Sequence, residues 1–235
     1  MIKRMERLSD GRELLDGALA PAVRARTLAD VDRLNAWFGG YALSLRAVRR
    51  LAGCVPAERT LVVADVGGGR ADLAVRIARW ARRAGRRARI LVVDRDAETL
   101  ALATNACRAY PEIVLLRGDA TALPLGDGRV DVAVVALTLH HLEPDGAAAC
   151  LAEMTRAARL GVVVNDLLRG YLTLGLVWLV TRALAMHPVS CHDGPVSVRR
   201  AYAPAELRAL AGRVGVARVA LRRHALLGRL VAVLA

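Results

Sequence analysis

Lysine is almost absent from this chain of 235 residues: Lys3 is the only one, so the formal net charge of +13 is carried almost entirely by arginine. Clustered cations would point to a phosphate polymer or an anionic surface. Here the arginines are spread along the chain, as on solvated helix faces. The densest group, Arg79, Arg82, Arg83, Arg86, Arg87 and Arg89, falls at the end of a predicted helix, where cations suit the helix dipole. Aromatic residues make up only 3% of the chain, too few for base-stacking platforms, so nucleic acid is not the favoured partner. The four cysteines, Cys54, Cys107, Cys150 and Cys191, form no CxxC pair. That argues against a zinc site or a disulfide framework and suits a reducing cytosol. Long apolar runs are missing too. Tyr171 to Val180 is closed in by Arg169 and Arg182, short of the ~20 residues a spanning helix needs. The stretch Met1 to Asp10 is charged and lacks the apolar core of a signal peptide. The expectation is a cytoplasmic protein with no transmembrane segment; its oligomeric state is not written in the sequence.

What is present is alternation. Residues 14–51 are helical in pattern with a break at Phe38-Gly39-Gly40, which makes 1–56 a helical N-terminal cap or lid. From residue 57 to 235 short apolar runs alternate with helical stretches. Leu61–Val66, Ile90–Val93, Ile113–Leu116, Val130–Ala136 and Leu160–Val164 read as strands buried on both faces, separated by helices at about 70–84, 96–109 and 145–158. Such alternation means βαβ units. An insertion at about 167–200 follows, made of an apolar helical piece and a Pro/Gly/His loop. A helix from Pro204 and an antiparallel pair, Val214–Leu221 with Leu226–Leu234, close the chain. The fold class is α/β: a Rossmann-like, doubly wound, mostly parallel seven-stranded sheet with an antiparallel C-terminal strand. Ligands of such sheets bind beyond the carboxyl ends of the strands.

The first strand runs into Asp65-Val66-Gly67-Gly68-Gly69. Glycines there let a ligand approach the backbone closely. A dinucleotide loop would place a further glycine at 72, but Asp72 stands there, and with Asp65 it would repel a pyrophosphate. The two acids suit a ligand with a cationic ammonium group and no phosphate. Asp94, about 25 residues beyond the loop at the end of the second strand, can accept hydrogen bonds from both hydroxyls of a ribose. Asp96 reads as a helix cap. Asp119, after the third strand, can take the exocyclic amine of an adenine.

"ADVGGGRAD", "VVDRD" and "GDATALPLGDGRVDVAVVALTLHHL", in this order and spacing, resemble the class I S-adenosylmethionine-dependent methyltransferases, in particular the ubiquinone/menaquinone-biosynthesis-like small-molecule branch. The resemblance covers about residues 59–166 and extends to the terminal strands. It implies S-adenosylmethionine as cofactor and S-adenosylhomocysteine as product. Asp65 and Gly67, Gly68 and Gly69 would border the methionine moiety, and Asp94 would hold the ribose. Arg95 would flank the adenine, Asp119 would take its amine with Ala120 alongside, and Leu137 would lie under the methionine portion. Gly68 is a departure, since many members carry a larger residue there.

Methyl transfer from a sulfonium is an in-line displacement, so the acceptor needs little beyond alignment and a base. His140 and His141, after the fourth strand, are candidates alongside a packing or capping role. His192 with Asp193 is a second candidate, as base and orienting partner in the insertion; a loop histidine in water is the plain reading of the same pair. His224 is read as structural. Metal is rejected, because Ala136-Leu137-Thr138-Leu139 offers no carboxylate after strand four, and Asp166 is read as acceptor-proximal or structural. The segment 167–186 and Ala36 to Tyr41 suggest a lid over an apolar or aromatic small-molecule acceptor. The reading is an O-methyltransferase of bacterial secondary metabolism. Its rivals are C-methylation of a quinone or polyketide ring, a cofactor-binding cyclase-like protein that transfers no methyl, and an RNA methyltransferase.

Overall fold

The apolar runs become strands with their side chains sealed on both faces. The computed structural model describes residues 5–9 and 11–235; Met1–Arg4, with Lys3, and Asp10 of the charged N-terminal stretch lie outside them. The strands are β1 (Leu61–Val66), β2 (Ala88–Asp94), β3 (Ile113–Arg117), β4 (Val130–Ala136), β5 (Ala158–Leu167), β6 (Val219–His224) and β7 (Arg229–Leu234). They form one seven-stranded sheet of order β3-β2-β1-β4-β5-β7-β6. The first five are parallel, and β7 is antiparallel to both β5 and β6. The chain winds outward from β1 through β2 to β3, then returns to start again at β4. The crevice between β1 and β4 is therefore where a ligand fits.

Helices cover both faces. On one lie α1 (Pro21–Trp37), α2 (Gly40–Ala52), α3 (Asp72–Arg83) and α4 (Ala97–Cys107), of which α2, α3 and α4 pack Val48, Ile77 and Ala103 against β1 and β2. The other carries α5 (Pro144–Ala157) and α8 (Pro204–Arg213), whose Leu151, Met154 and Leu207 are fully enclosed. Burial of each such side chain is worth about 1.5–3 kcal/mol. Helix α2 thus belongs to the core of the sheet, while α1 lies over its carboxyl edge with α6 (Tyr171–Ala183) and α7 (Pro188–Arg200).

Two local expectations are corrected. The Pro/Gly/His stretch expected as a loop is the helix α7. Pro188 occupies its first turn, where a missing N–H costs nothing, and the His187 side chain caps it by accepting from the Val189 N–H. Gly194 signals close packing there instead of a turn: a Cβ on it would stand 2.7 Å from Val177 Cγ1 of α6. The terminal pair also starts later than the apolar pattern suggests, because α8 runs to Arg213 and Gly215, at φ +74°, turns the chain before β6.

Candidate active site

The carboxyl ends of β1, β2 and β4 open on a cavity of about 780 Å³. Asp65, 1% exposed at the end of β1, has an Oδ2 without a hydrogen-bond partner among the described residues. Burial, with Asp94 adding to it, pushes its pKa up to about 7. A buried carboxylate in that condition is matched by a cation. Gly67 and Gly69 have φ of +63° and +54°. A Cβ on Gly67 would collide with the Thr138 side chain, and one on Gly68 would lie 2.8 Å from Val92 Cγ1 and 3.0 Å from Asp65 Cγ. The departure at Gly68 has a local reason: the loop folds back onto Asp65 and leaves no room for a side chain.

Asp94 ties two loops together. Its Oδ2 accepts from the Gly69 N–H at 2.9 Å and its Oδ1 from the Asp96 N–H at 3.0 Å, which leaves lone pairs for two hydroxyls. Asp96 caps α4, accepting from the Glu98 and Thr99 N–H groups. Asp119 accepts from the Thr121 N–H and hydroxyl on Oδ1 alone, and these bonds hold its carboxyl below the usual range. Ala120 and Leu137 line the cavity, as does Arg95, whose guanidinium is mostly exposed 3.8 Å from Asp16. Leu137 has φ +54°, a conformation that costs a non-glycine residue about 1–3 kcal/mol. Its N–H donates to the Asn165 carbonyl at 3.0 Å.

Beyond β4 the cavity changes character. His140 is 2% exposed; its Nδ1 lies 2.6 Å from Asp166 Oδ1, and its backbone N–H donates to Asp166 Oδ2 at 3.1 Å. Burial alone would raise the Asp166 carboxyl, but the His140 ring and the N–H groups of Leu167 and His140 outweigh it and hold it below the usual range. An ionised Asp166 makes Nδ1 the protonated ring nitrogen and leaves Nε2 as an acceptor. His140 Nε2 is 3.5 Å from Glu13 Oε1, and His141 Nε2 is 3.7 Å from Glu13 Oε2. Burial pushes Glu13 up to about 7 against the pull of His141 and a hydrogen bond with Ser197. The His141 Nδ1 is 2.9 Å from Asp16 Oδ2.

These three side chains have ligand atoms within 4.8 Å of one another, which is the spacing of a shared cation. The expectation of no metal rested on the residues after strand four, and the carboxylate arrives instead from residue 13. Sequence reasoning missed Glu13 and Asp16 because nothing local ties them to a site some 125 residues away.

His192 and Asp193 do meet, with His192 Nδ1 2.8 Å from Asp193 Oδ1. The same carboxylate also accepts from the Leu14 and Leu15 N–H groups at 2.8 and 2.9 Å, pinning the turn at 14–16. Successive residues on a helix point about 100° apart. Asp193 faces the cavity, and His192, half exposed, lies off its wall. The aromatic lid is thinner than expected. Thr173, Leu176 and Val177 of α6 line the cavity together with Phe38 and Tyr41, while Trp37, Tyr171 and Trp178 are each more than half exposed.

Helix α1 closes the cavity as a clasp. At one end Arg24 pairs with Asp96 at 2.8 Å and with Glu98 at 3.1 Å. Further along, the fully buried Asp30 accepts from the His187 N–H and the Ser190 hydroxyl of α7 at 2.8 and 2.9 Å.

Orphaned Asp65, the glycine cradle and two tethered carboxylates at the right strand ends fit a ligand with an ammonium group, a ribose and an adenine. The sheet order is that of the Rossmann-like methyltransferase fold, and the donor set fits S-adenosylmethionine as cofactor. Residues 63–161 match the model of the methyltransferase domain family. No curated protein matches the chain. Among solved structures, an S-adenosylmethionine-dependent methyltransferase from Aquifex aeolicus superposes with a TM-score of 0.59 at 16% identity, over 92% of this chain and 98% of that one. A Methanococcus maripaludis chain described as a candidate enzyme of the same type gives 0.63 at 11% identity, over 97% and 96%. The CMeT domain of the citrinin polyketide synthase gives 0.62 at 12% identity over 80% of this chain, which spans about half (49%) of that one. At these identities the likeness is one of fold. Among the described residues no helix is long and apolar enough to cross a membrane.

The buried acids set a pH dependence. Asp65 is raised from an ordinary 3.8 to about 7, Glu13 from 4.5 to about 7 and Asp72 from 3.8 to about 6. Raised carboxyls bind more protons folded than unfolded, so the free protein loses stability as pH rises from about 4 through 7. Denaturant titrations of the ligand-free protein at pH 5 and pH 7.5 check this; equal stability would place ionised partners beside these acids.

Proposed function

We propose that this protein transfers a methyl group to an acidic hydroxyl, phenolic or enolic, of an apolar small molecule of bacterial secondary metabolism in the cytoplasm, with His140 as the base. One observation carries the reading: His140, bonded to the buried Asp166, lines the same cavity as the glycine cradle. S-adenosylmethionine, when bound, supplies an electrophilic methyl on a sulfonium. Asp65 binds its ammonium group, Asp94 its ribose hydroxyls and Asp119 its adenine amine, with Arg95, Ala120 and Leu137 against the ring and chain. The clasp of α1 with α6 and α7 excludes water, which favours displacement between two poorly solvated reactants. His140 Nε2 takes the acceptor proton, Asp166 stabilises the imidazolium, and Glu13, near half-protonation at neutral pH, passes the proton toward His141 and solvent. His192 stands outside this chemistry and Asp193 holds the turn at 14–16.

A second reading has support from proteins of the same fold, which include carbon methyltransferases: the same base removing a proton from carbon between two carbonyls gives an enolate open to methylation at carbon. The test incubates the protein with S-adenosylmethionine and a panel of alkylphenols and 1,3-diketones. Mass spectrometry is expected to show a gain of one methyl with equimolar S-adenosylhomocysteine, and NMR of the product assigns oxygen or carbon. Ligand at a hundred times its Kd adds about 2.7 kcal/mol of stability. A Tm unmoved by both forms of the cofactor but raised by NADH overturns the reading, and binding without turnover leaves a cyclase-like role. His192→Ala is expected to keep kcat within about twofold, and chelator dialysis to leave turnover unchanged. A loss restored by a divalent ion would assign Glu13, His140 and His141 to a metal.

A further inference from the structure

Arg229 opens β7 opposite Leu167 of β5 and His224 of β6, 3% exposed, and its side chain lines the acceptor half of the cavity. Its Nε and Nη1 are buried with no hydrogen-bond partner among the described residues. Burial pulls its pKa down to about 10, opposed by the charge of Asp166. Asp166 makes no hydrogen bond to it, and Tyr41, whose pKa burial raises, is neutral. Asp166 is bonded to His140 and Leu167, and the Tyr41 hydroxyl donates to Asp32 at 2.7 Å. The unpartnered Asn165 Oδ1 on the neighbouring strand is uncharged and makes no bond to the arginine.

A second positive feature faces the same point. The helix α2 begins at Gly40 behind a left-handed Gly39, with no side-chain cap, and the first N–H to reach a carbonyl of the preceding turn is that of Leu43. The N–H groups of the first turn therefore carry the positive end of the helix dipole, with no side-chain cap among the described residues. A Cβ on Gly40 would meet the Asn35 Oδ1 of α1 first and then stand 3.1 Å from Arg229 Cζ, so the guanidinium and one neutral amide oxygen lie against that turn. Two positive groups buried together are unfavourable until an anion sits between them, and helix N-termini and planar guanidinium groups both select oxyanions.

We propose that Arg229 and the first turn of α2 bind a carboxylate carried by the methyl acceptor. The proposal rests on the methyl-transfer reading and adds the acceptor's class: a hydroxy acid whose carboxylate is anchored at β7 while its hydroxyl reaches His140. The cofactor's own carboxylate is the other anion to consider. In the order β1-β4-β5-β7 the arginine is three strands beyond the cofactor loop, roughly 14 Å in the plane of the sheet. It sits on the far side of His140, where the acceptor belongs.

The experiment compares two probes on the protein saturated with S-adenosylhomocysteine at pH 7.5: 2-hydroxy-6-pentylbenzoate and 3-pentylphenol, which lacks the carboxylate. By calorimetry the benzoate is expected to bind at least about tenfold more tightly, as charge-assisted hydrogen bonds imply. In Arg229→Gln the two probes should bind within about twofold of each other, the affinity for S-adenosylhomocysteine should stay the same, and the ligand-free Tm should not fall, because an uncompensated buried charge has been removed. Should the glutamine variant not fold, Arg229→Lys, which keeps the charge and loses the planar fork, is expected to retain only part of the preference. Equal binding of the two probes by the wild type, no binding of the benzoate, or a preference that persists undiminished in the variants overturns the proposal. A loss of S-adenosylhomocysteine affinity in Arg229→Gln overturns it too, since the arginine would then hold the cofactor. Failure of the wild type to bind S-adenosylhomocysteine at all is a different result, and it sinks the methyl-transfer reading first.

Discussion

His140→Asn is expected to lower kcat by about 10²- to 10⁴-fold, the range for loss of a positioned base, while the Kd for S-adenosylhomocysteine stays within about twofold. The asparagine amide nitrogen stands close to where Nδ1 was and can still donate to Asp166. The backbone N–H of residue 140 keeps its own bond to the other carboxylate oxygen. The turn after β4 should therefore hold its shape, and what disappears is the acceptor nitrogen facing the cavity. The pH profile separates a base from a structural residue. A general base gives kcat/KM a rising limb with pH, and the variant should lose it. A variant that retains more than a tenth of the wild-type rate with the same profile would make His140 a packing residue and move proton removal to Glu13 or to water.

Asp94→Ala should raise the Kd for S-adenosylhomocysteine by about 10²- to 10⁴-fold, the worth of two hydrogen bonds to a charged acceptor. The effect has two parts. Contacts to the ribose hydroxyls are lost, and so are the bonds that draw the Gly69 and Asp96 N–H groups toward each other. Asp94→Asn keeps one carbonyl oxygen for either role and should fall between the two. Isothermal titration reads all three, with the Tm of each ligand-free protein as the control for folding. Unchanged affinity in the alanine variant would move the ribose contact to another acid, of which Asp96 is the nearest along the chain.

The cofactor half of this site was legible because it is local. The first three strands each end beside an acid or a glycine whose position follows from the period of the apolar runs, and Asp65, Asp94 and Asp119 all fall at the cavity as those runs require. The acceptor half is assembled from distant segments, and sequence spacing says nothing about which of them meet. Glu13 belongs to a stretch with no strong periodicity, and it reaches His140 only because Asp193 of α7 holds the turn that follows it. His192 was chosen from composition, as a histidine beside an acid, but helical geometry turns one member of that pair inward and the other out. The helix α7 was hidden by residues that usually break helices, Pro188 at its start and Gly194 at its contact with α6. A signal for Arg229 did exist. An arginine at the head of "RLVAVL", a run otherwise fit for a central strand, is out of place unless something needs its charge.

The clasp over the cavity also bears on timing. Helix α1 is held to α4 by Arg24 and to α7 by Asp30, and neither contact belongs to the sheet. With the Asp32–Tyr41 bond they can break while the seven strands stay paired, so opening of the roof is a local event with its own free energy, smaller than that of the whole domain. Turnover in such a protein has a ceiling set by how often the roof opens, whatever the speed of the chemistry beneath it. Because one of these fastenings is a partly exposed ion pair, added salt should loosen the roof at that end.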